Sequence, residues 1–149
     1  MAVEPLSAEL KTAGQIMLAH LDRVGLSPQG ALWLMFPHIK DWRYTVVSDL
    51  VDDYGRIKVY GLIDEALSAL PPVDGLTLFD IHLASTSEIM PMVLDGLVAV
   101  DNGVVHLNDC RINDVKVDAV VFRLQQARPV AVRKKAIRDF QRAARKAHA

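Results

Sequence analysis

The final stretch of the chain, residues 128–149, RPVAVRKKAIRDFQRAARKAHA, separates charge both along the sequence and around a helix. It holds eight of the 17 basic side chains, Arg128, Arg133, Lys134, Lys135, Arg138, Arg142, Arg145 and Lys146, against one acid, Asp139. Residues 1–127 carry the other nine basic side chains and seventeen of the 18 acidic ones. A formal net charge of −1 therefore conceals an acidic body and a basic tail.

At about 100° per residue, Val132, Ala136, Ile137, Phe140, Ala143, Ala144 and Ala147 fall in one arc, and Lys134, Lys135, Arg138, Arg142, Arg145 and Lys146 fall opposite. Arg133 alone interrupts the pattern. Pro129 suits a first helical turn, where its missing N–H costs nothing. The spacing predicts a basic amphipathic helix over 128–149, docked lightly through a mostly alanine stripe on the acidic α+β domain of residues 1–127 or on a partner.

A chain of 149 residues, 51% of them hydrophobic, is the size of one ordinary domain and can bury a core. The start, MAVEPLSAEL, lacks the basic and apolar regions of a secretory leader. No apolar run approaches the roughly 18 residues of a membrane span, so a cytoplasmic protein without membrane contact is expected. The single cysteine, Cys110, offers neither an internal disulfide nor zinc-ligand spacing, and reads as a small strand residue.

Ser7 is placed to cap a helix over 8–24, in which Leu10, Ala13, Met17, Leu21 and Val24 recur before Gly25. His20 flanks that stripe and suits a capping role. Residues 31–36 and 42–47 are apolar, aromatic or β-branched runs separated by a short loop, which predicts a hairpin. Asp49, Asp52 and Asp53 crowd the next segment without the frame of a calcium loop, and an acidic strand end with a solvated turn is expected. Ile57, Tyr60, Ile63, Leu67 and Leu70 mark a second helix, ended by Pro71-Pro72.

Residues 76–85 read as a strand with Phe79, Ile81 and Leu83 on one face and Asp80 and His82 on the other. Caps at 85–88 begin a helix to about 97, and Asp101-Asn102-Gly103 is a turn signal. Strands over 104–107 and 115–124, joined by a turn at Asn113-Asp114, complete the set. The expected fold is α+β: a mostly antiparallel sheet of about five strands with helices packed on it, in the order αββαβαββα.

No glycine-rich phosphate loop, His-Glu-x-x-His or Gly-x-Ser-x-Gly motif is present, and no metal site or cofactor is expected. Asp114-Val115-Lys116 has the Asp-x-Lys spacing of restriction-endonuclease-like nucleases, which requires a further acid, for which Asp80 is the candidate. Strand alternation also predicts that Asp80, His82, His106 and Arg123 share a sheet face, a general-base arrangement if they converge. The simpler account is the wet face of a half-buried sheet. The basic arc points instead to a small binding or accessory protein, with an enzyme using the polar sheet face as the alternative. Lys134, Lys135, Arg138, Arg142, Arg145 and Lys146 would contact an anionic partner, either nucleic acid or an acidic protein surface. A third expectation is a homo-oligomer, with the tail of one copy on the body of another.

Overall fold

The computed structural model describes residues 5–36, 41–88, 104–112 and 115–148. The expected turns at Asp101-Asn102-Gly103 and Asn113-Asp114, and the helix to about 97 beyond residue 88, lie outside the described residues. Helix α1 spans Ala8–Arg23, and the Ser7 side chain caps it by accepting from the Leu10 N–H. It ends in a Schellman motif: Gly25 takes φ 96°, its N–H donates to Asp22 O, and the Leu26 N–H donates to Leu21 O. Leu21 and Leu26 are both buried beneath that turn.

Strands β1 (Gly30–Phe36) and β2 (Asp41–Val47) form the expected hairpin. Helix α2 (Asp49–Tyr54) follows, then α3 (Arg56–Leu67), a 3-10 turn at Leu78–Asp80, and the short strand β3 (Ile81–Ala84). Residues 86–88 are helical. Strands β4 (Val105–Ile112) and β5 (Val115–Leu124) precede the last helix, α4 (Val130–His148). The sheet order is β3-β2-β1-β5-β4, antiparallel throughout except for the β2–β3 pair, which is parallel. That pair has α2 and α3 as its crossover, as parallel neighbours require. The fold is α+β, with a mostly antiparallel five-stranded sheet and a helical C-terminal element.

Several local readings differ from the sequence pattern. Residues 49–54 are a helix rather than a solvated turn, because Ser48 caps it by accepting from the Leu50 N–H and Asp49 lies in its acidic first turn. In α3 the buried line is Val59, Ile63 and Ala66, while Ile57 is 91% exposed. Strand β3 begins only at Ile81, because the Asp80 carboxylate accepts from the Thr77 N–H and hydroxyl and so closes a local turn. Phe79 consequently stands 94% exposed instead of joining an apolar face.

One sheet face carries Ala31, Trp33, Tyr44, Val46, Ile81, Leu83, Val120 and Phe122, which form a single core with residues of α1, α2, α3 and the last helix. Helix α1 approaches this face closely at Gly14, where a Cβ would lie 2.5 Å from Trp33 Nε1 and 2.6 Å from Phe122 Cε2. The Tyr44 hydroxyl donates to Gly14 O at 2.8 Å and fixes the same approach. Burial pushes the Tyr44 phenol far above its ordinary pKa, so it serves only as a neutral donor.

The opposite face is not wet. Leu32, Leu34, Val47, Ala119, Val121 and Leu124 are buried there too, which accounts for the unbroken apolar runs in β1 and β5.

Helix α4 packs on α3 and α2 with Ile137, Phe140 and Ala144 buried. The two large side chains contribute about 1.5–3 kcal/mol each on full burial. Two ion pairs fix its start. Arg128 donates from Nε and a terminal nitrogen to the Asp49 carboxylate at 2.9 and 2.8 Å, and its backbone N–H adds a third bond at 3.0 Å. Arg133 makes a bidentate pair with Asp53 at 2.7 and 3.1 Å and also donates to Arg128 O. Asp49 is wholly buried, whereas Asp53 is 29% exposed. Replacing Arg128 by Ala strands the Asp49 carboxylate, and urea denaturation is expected to show a loss of about 3–5 kcal/mol. Arg133→Ala, at the more solvated pair, is expected to shift the midpoint far less.

Candidate anion-binding face

The basic arc of α4 is presented by the burial of its opposite side. Lys134, Lys135, Arg138, Arg142, Arg145 and Lys146 are all exposed, while Ile137, Phe140 and Ala144 anchor the helix from behind. Arg133, the residue that interrupts the helical pattern, faces the body and pairs with Asp53. Donating to the Asp53 carboxylate raises its guanidinium pKa further, so it is a permanent cation. The tail thus divides into two docking arginines and six presented cations.

Among the described residues, none of those six forms an ion pair. Lys134 to Lys146 spans about 18 Å of helix axis. Lys134–Arg138, Arg138–Arg142 and Arg142–Lys146 are like-charge pairs at i,i+4, each destabilising an isolated helix by about 0.2–0.5 kcal/mol. The first turn of α4 contains no acid to complement its dipole, and Lys134 and Lys135 follow directly. A polyanion laid along the arc would relieve this repulsion.

The four residues of the alternative catalytic face are not brought together. Strands β3 and β4 are the two edges of the sheet. His82 stands opposite Thr45, which is paired with Leu32, whereas His106 stands opposite Val120, which is paired with Trp33. The two imidazoles therefore lie on opposite faces. Asp80 is taken up in the Thr77 turn. Arg123 is redirected by a β-bulge: Ala31 pairs with Arg123 and Leu32 with Val121, leaving Phe122 as the extra residue. Arg123 accordingly reaches the α1 side, where it makes a bidentate pair with Asp22 at 2.7 and 2.8 Å.

The other candidates have structural partners. His106 Nε2 lies 3.3 Å from Lys11 Nζ, and His20 Nε2 lies 3.2 Å from Pro71 O, so that His20 ties α1 to the loop after α3 rather than capping its own helix. Asp49 and Asp53 hold arginines, and Asp52 accepts from the Thr86 N–H and hydroxyl at 2.8 and 2.6 Å. No group of three or more His, Cys, Asp or Glu among the described residues could hold a metal ion. Asp114, of the Asp-x-Lys motif, lies outside the described residues, and Asp80 borders a strand three places from β5. Tyr60 donates to Leu78 O and Ile81 O, and burial, then the nearby Asp80, raises its pKa. No helix among the described residues is long and apolar enough to cross a membrane.

Comparison with protein-family models, curated proteins and solved structures returns no match to this chain. The reading rests on the chain's own residues. The sequence pattern missed Asp49 as the anchor of the tail; the one available signal, the misplaced Arg133 on the apolar side of the helix, called for an acid of the body and is answered by Asp53.

His82 sits near Glu88, which also pairs with Arg56. Partial burial lowers its pKa from 6.5, outweighing Glu88, which raises it, while Arg56 and Arg43 lower it further. The unfolded chain then takes up a proton before the native one does. Stability is full above the unfolded value and declines as pH falls through the window down to the lowered native value. Urea midpoints at about pH 7.5 and 5.5 are expected to fall slightly more in wild type than in His82→Asn. Equal decline in both would contradict the shift.

Proposed function

We propose that the protein is a small accessory protein that grips the phosphate backbone of a nucleic acid with the exposed basic face of α4. The observation that carries this reading is that six cations without acidic partners among the described residues share one face of a helix anchored from behind. A face fixed in this way meets a polyanion with little further ordering, and its cations can follow phosphates over about 18 Å. Phe140, the only aromatic on the helix, is wholly buried, so the arc itself offers no platform for unpaired bases. Contact is therefore with the backbone of a duplex and indifferent to sequence. The acidic side chains elsewhere in the body disfavour other approaches and leave this face as the docking side.

An acidic protein surface is the alternative occupant of the same face. Self-association through the tail has less support, because Arg128 and Arg133 are already paired with Asp49 and Asp53 of the same chain.

Fluorescence anisotropy with a labelled duplex tests the proposal. With four to six phosphate contacts, log K is expected to fall against log salt with a slope on the order of −4 to −5. The triple reversal Arg138→Glu, Arg142→Glu, Arg145→Glu leaves the buried stripe intact. It is expected to retain the fold by circular dichroism and lose affinity on the order of 100-fold or more. No binding by wild type at low salt, or unchanged affinity in the folded variant, would overturn the reading.

A further inference from the structure

A groove of about 400 Å³ lies where α4 crosses the end of α2 and the start of α3, lined by Tyr54, Lys58, Lys134, Ile137, Arg138 and Gln141. Three of its six lining residues are cations and none is an acid. Lys58 comes from α3, outside the basic tail, and its ammonium lies 5.2 Å from the centre of the Tyr54 ring, a cation–π contact that holds it beside the groove. Lys134 and Arg138 are one helical turn apart on α4 and face it from the other wall.

The docking of α4 thus brings three like charges to the walls of one concavity. We infer that this groove seats a phosphate monoester, and that in a bound nucleic acid it takes the terminal phosphate of the strand. This rests on the nucleic-acid reading for its source but not for its chemistry. A monoester carries about −1.5 to −2 charges near pH 7, against −1 for an internal diester, so a site with three cations favours the chain end. Concavity acts in the same sense, because a free end enters a groove that a continuous duplex backbone can only cross. Arg138 supplies a planar fork of donors and the two lysines supply point charges, while the Gln141 amide and the Tyr54 hydroxyl can donate to remaining phosphate oxygens. The side chain of Ile137 and the volume of the groove leave room for the sugar that carries the phosphate.

The experiment compares a duplex bearing 5′-phosphates with the same duplex lacking them, on wild type and on Lys58→Gln. Lys58 is exposed, so the variant keeps the fold. Wild type is expected to bind the phosphorylated duplex on the order of 10-fold more tightly at low salt, and Lys58→Gln to abolish that preference while still binding the unphosphorylated duplex. Equal binding of both duplexes by wild type, or a preference untouched by Lys58→Gln, would overturn the inference. Amide chemical-shift mapping with inorganic phosphate and with a nucleoside 5′-monophosphate separates the two readings. Shifts at Lys58, Arg138 and Gln141, in a protein that binds neither duplex, would support the monoester site and reject the nucleic-acid source. Shifts spread evenly along α4, or none, would reject the site even where the duplex binds.

Discussion

The ion pair between Asp49 and Arg128 is the interaction on which the placement of the C-terminal helix depends. Asp49 is wholly buried, and its carboxylate accepts three hydrogen bonds from one residue, Arg128. Its backbone N–H donates to the Gln29 side chain, and Gln29 O accepts from the Gln125 N–H. The segment before β1, the end of β5, the start of α2 and the residues leading into α4 are therefore linked through Asp49 and Gln29. A buried charge of this kind cannot lose its partner cheaply, so the chain is constrained to bring residue 128 back to residue 49. Once it does, Ile137 and Phe140 fall against the core, and the basic arc is left pointing outward.

The tail's positive charge thus has two roles that its sequence runs together. Arg128 and Arg133 neutralise acids of the body, while the six arc residues repel one another along an exposed face. Selection for stability alone would intersperse acids among them, as i,i+4 partners, and Asp139 is the single instance. An anion bound along the arc would relieve that repulsion, which is the physical basis of the proposed function, and Lys58 extends the same positive field onto α3.

Much of the fold was legible because local signals agreed with global packing. Ser7 and Gly25 bounded α1, the apolar runs of β1 and β2 gave the hairpin, and the helical wheel of residues 128–149 gave the exposed basic side of α4 and its buried Ile137, Phe140 and Ala144, although Val132, on the same arc, stands 47% exposed. The failures arose where a side chain captured backbone groups or where pairing changed register. Asp80 closed a turn and displaced the start of β3, and the bulge at Phe122 turned Arg123 to the face that strict alternation denies it. The expected union of Asp80, His82, His106 and Arg123 assumed an order and register of strands that alternation within each strand cannot supply. Lys58 was invisible for a related reason: its proximity to Lys134 and Arg138 is created only by the docking of α4 across α3.

Amide hydrogen exchange on the intact chain tests most directly the claim that α4 is an integral, anchored part of the body that presents a fixed basic face. The amides of residues 137–144 are expected to exchange as slowly as those in the centres of β1 and β5, through the same global opening. Exchange at the rate of an isolated helix, while β1 and β5 stay protected, would contradict it and leave the tail a loosely tethered arm.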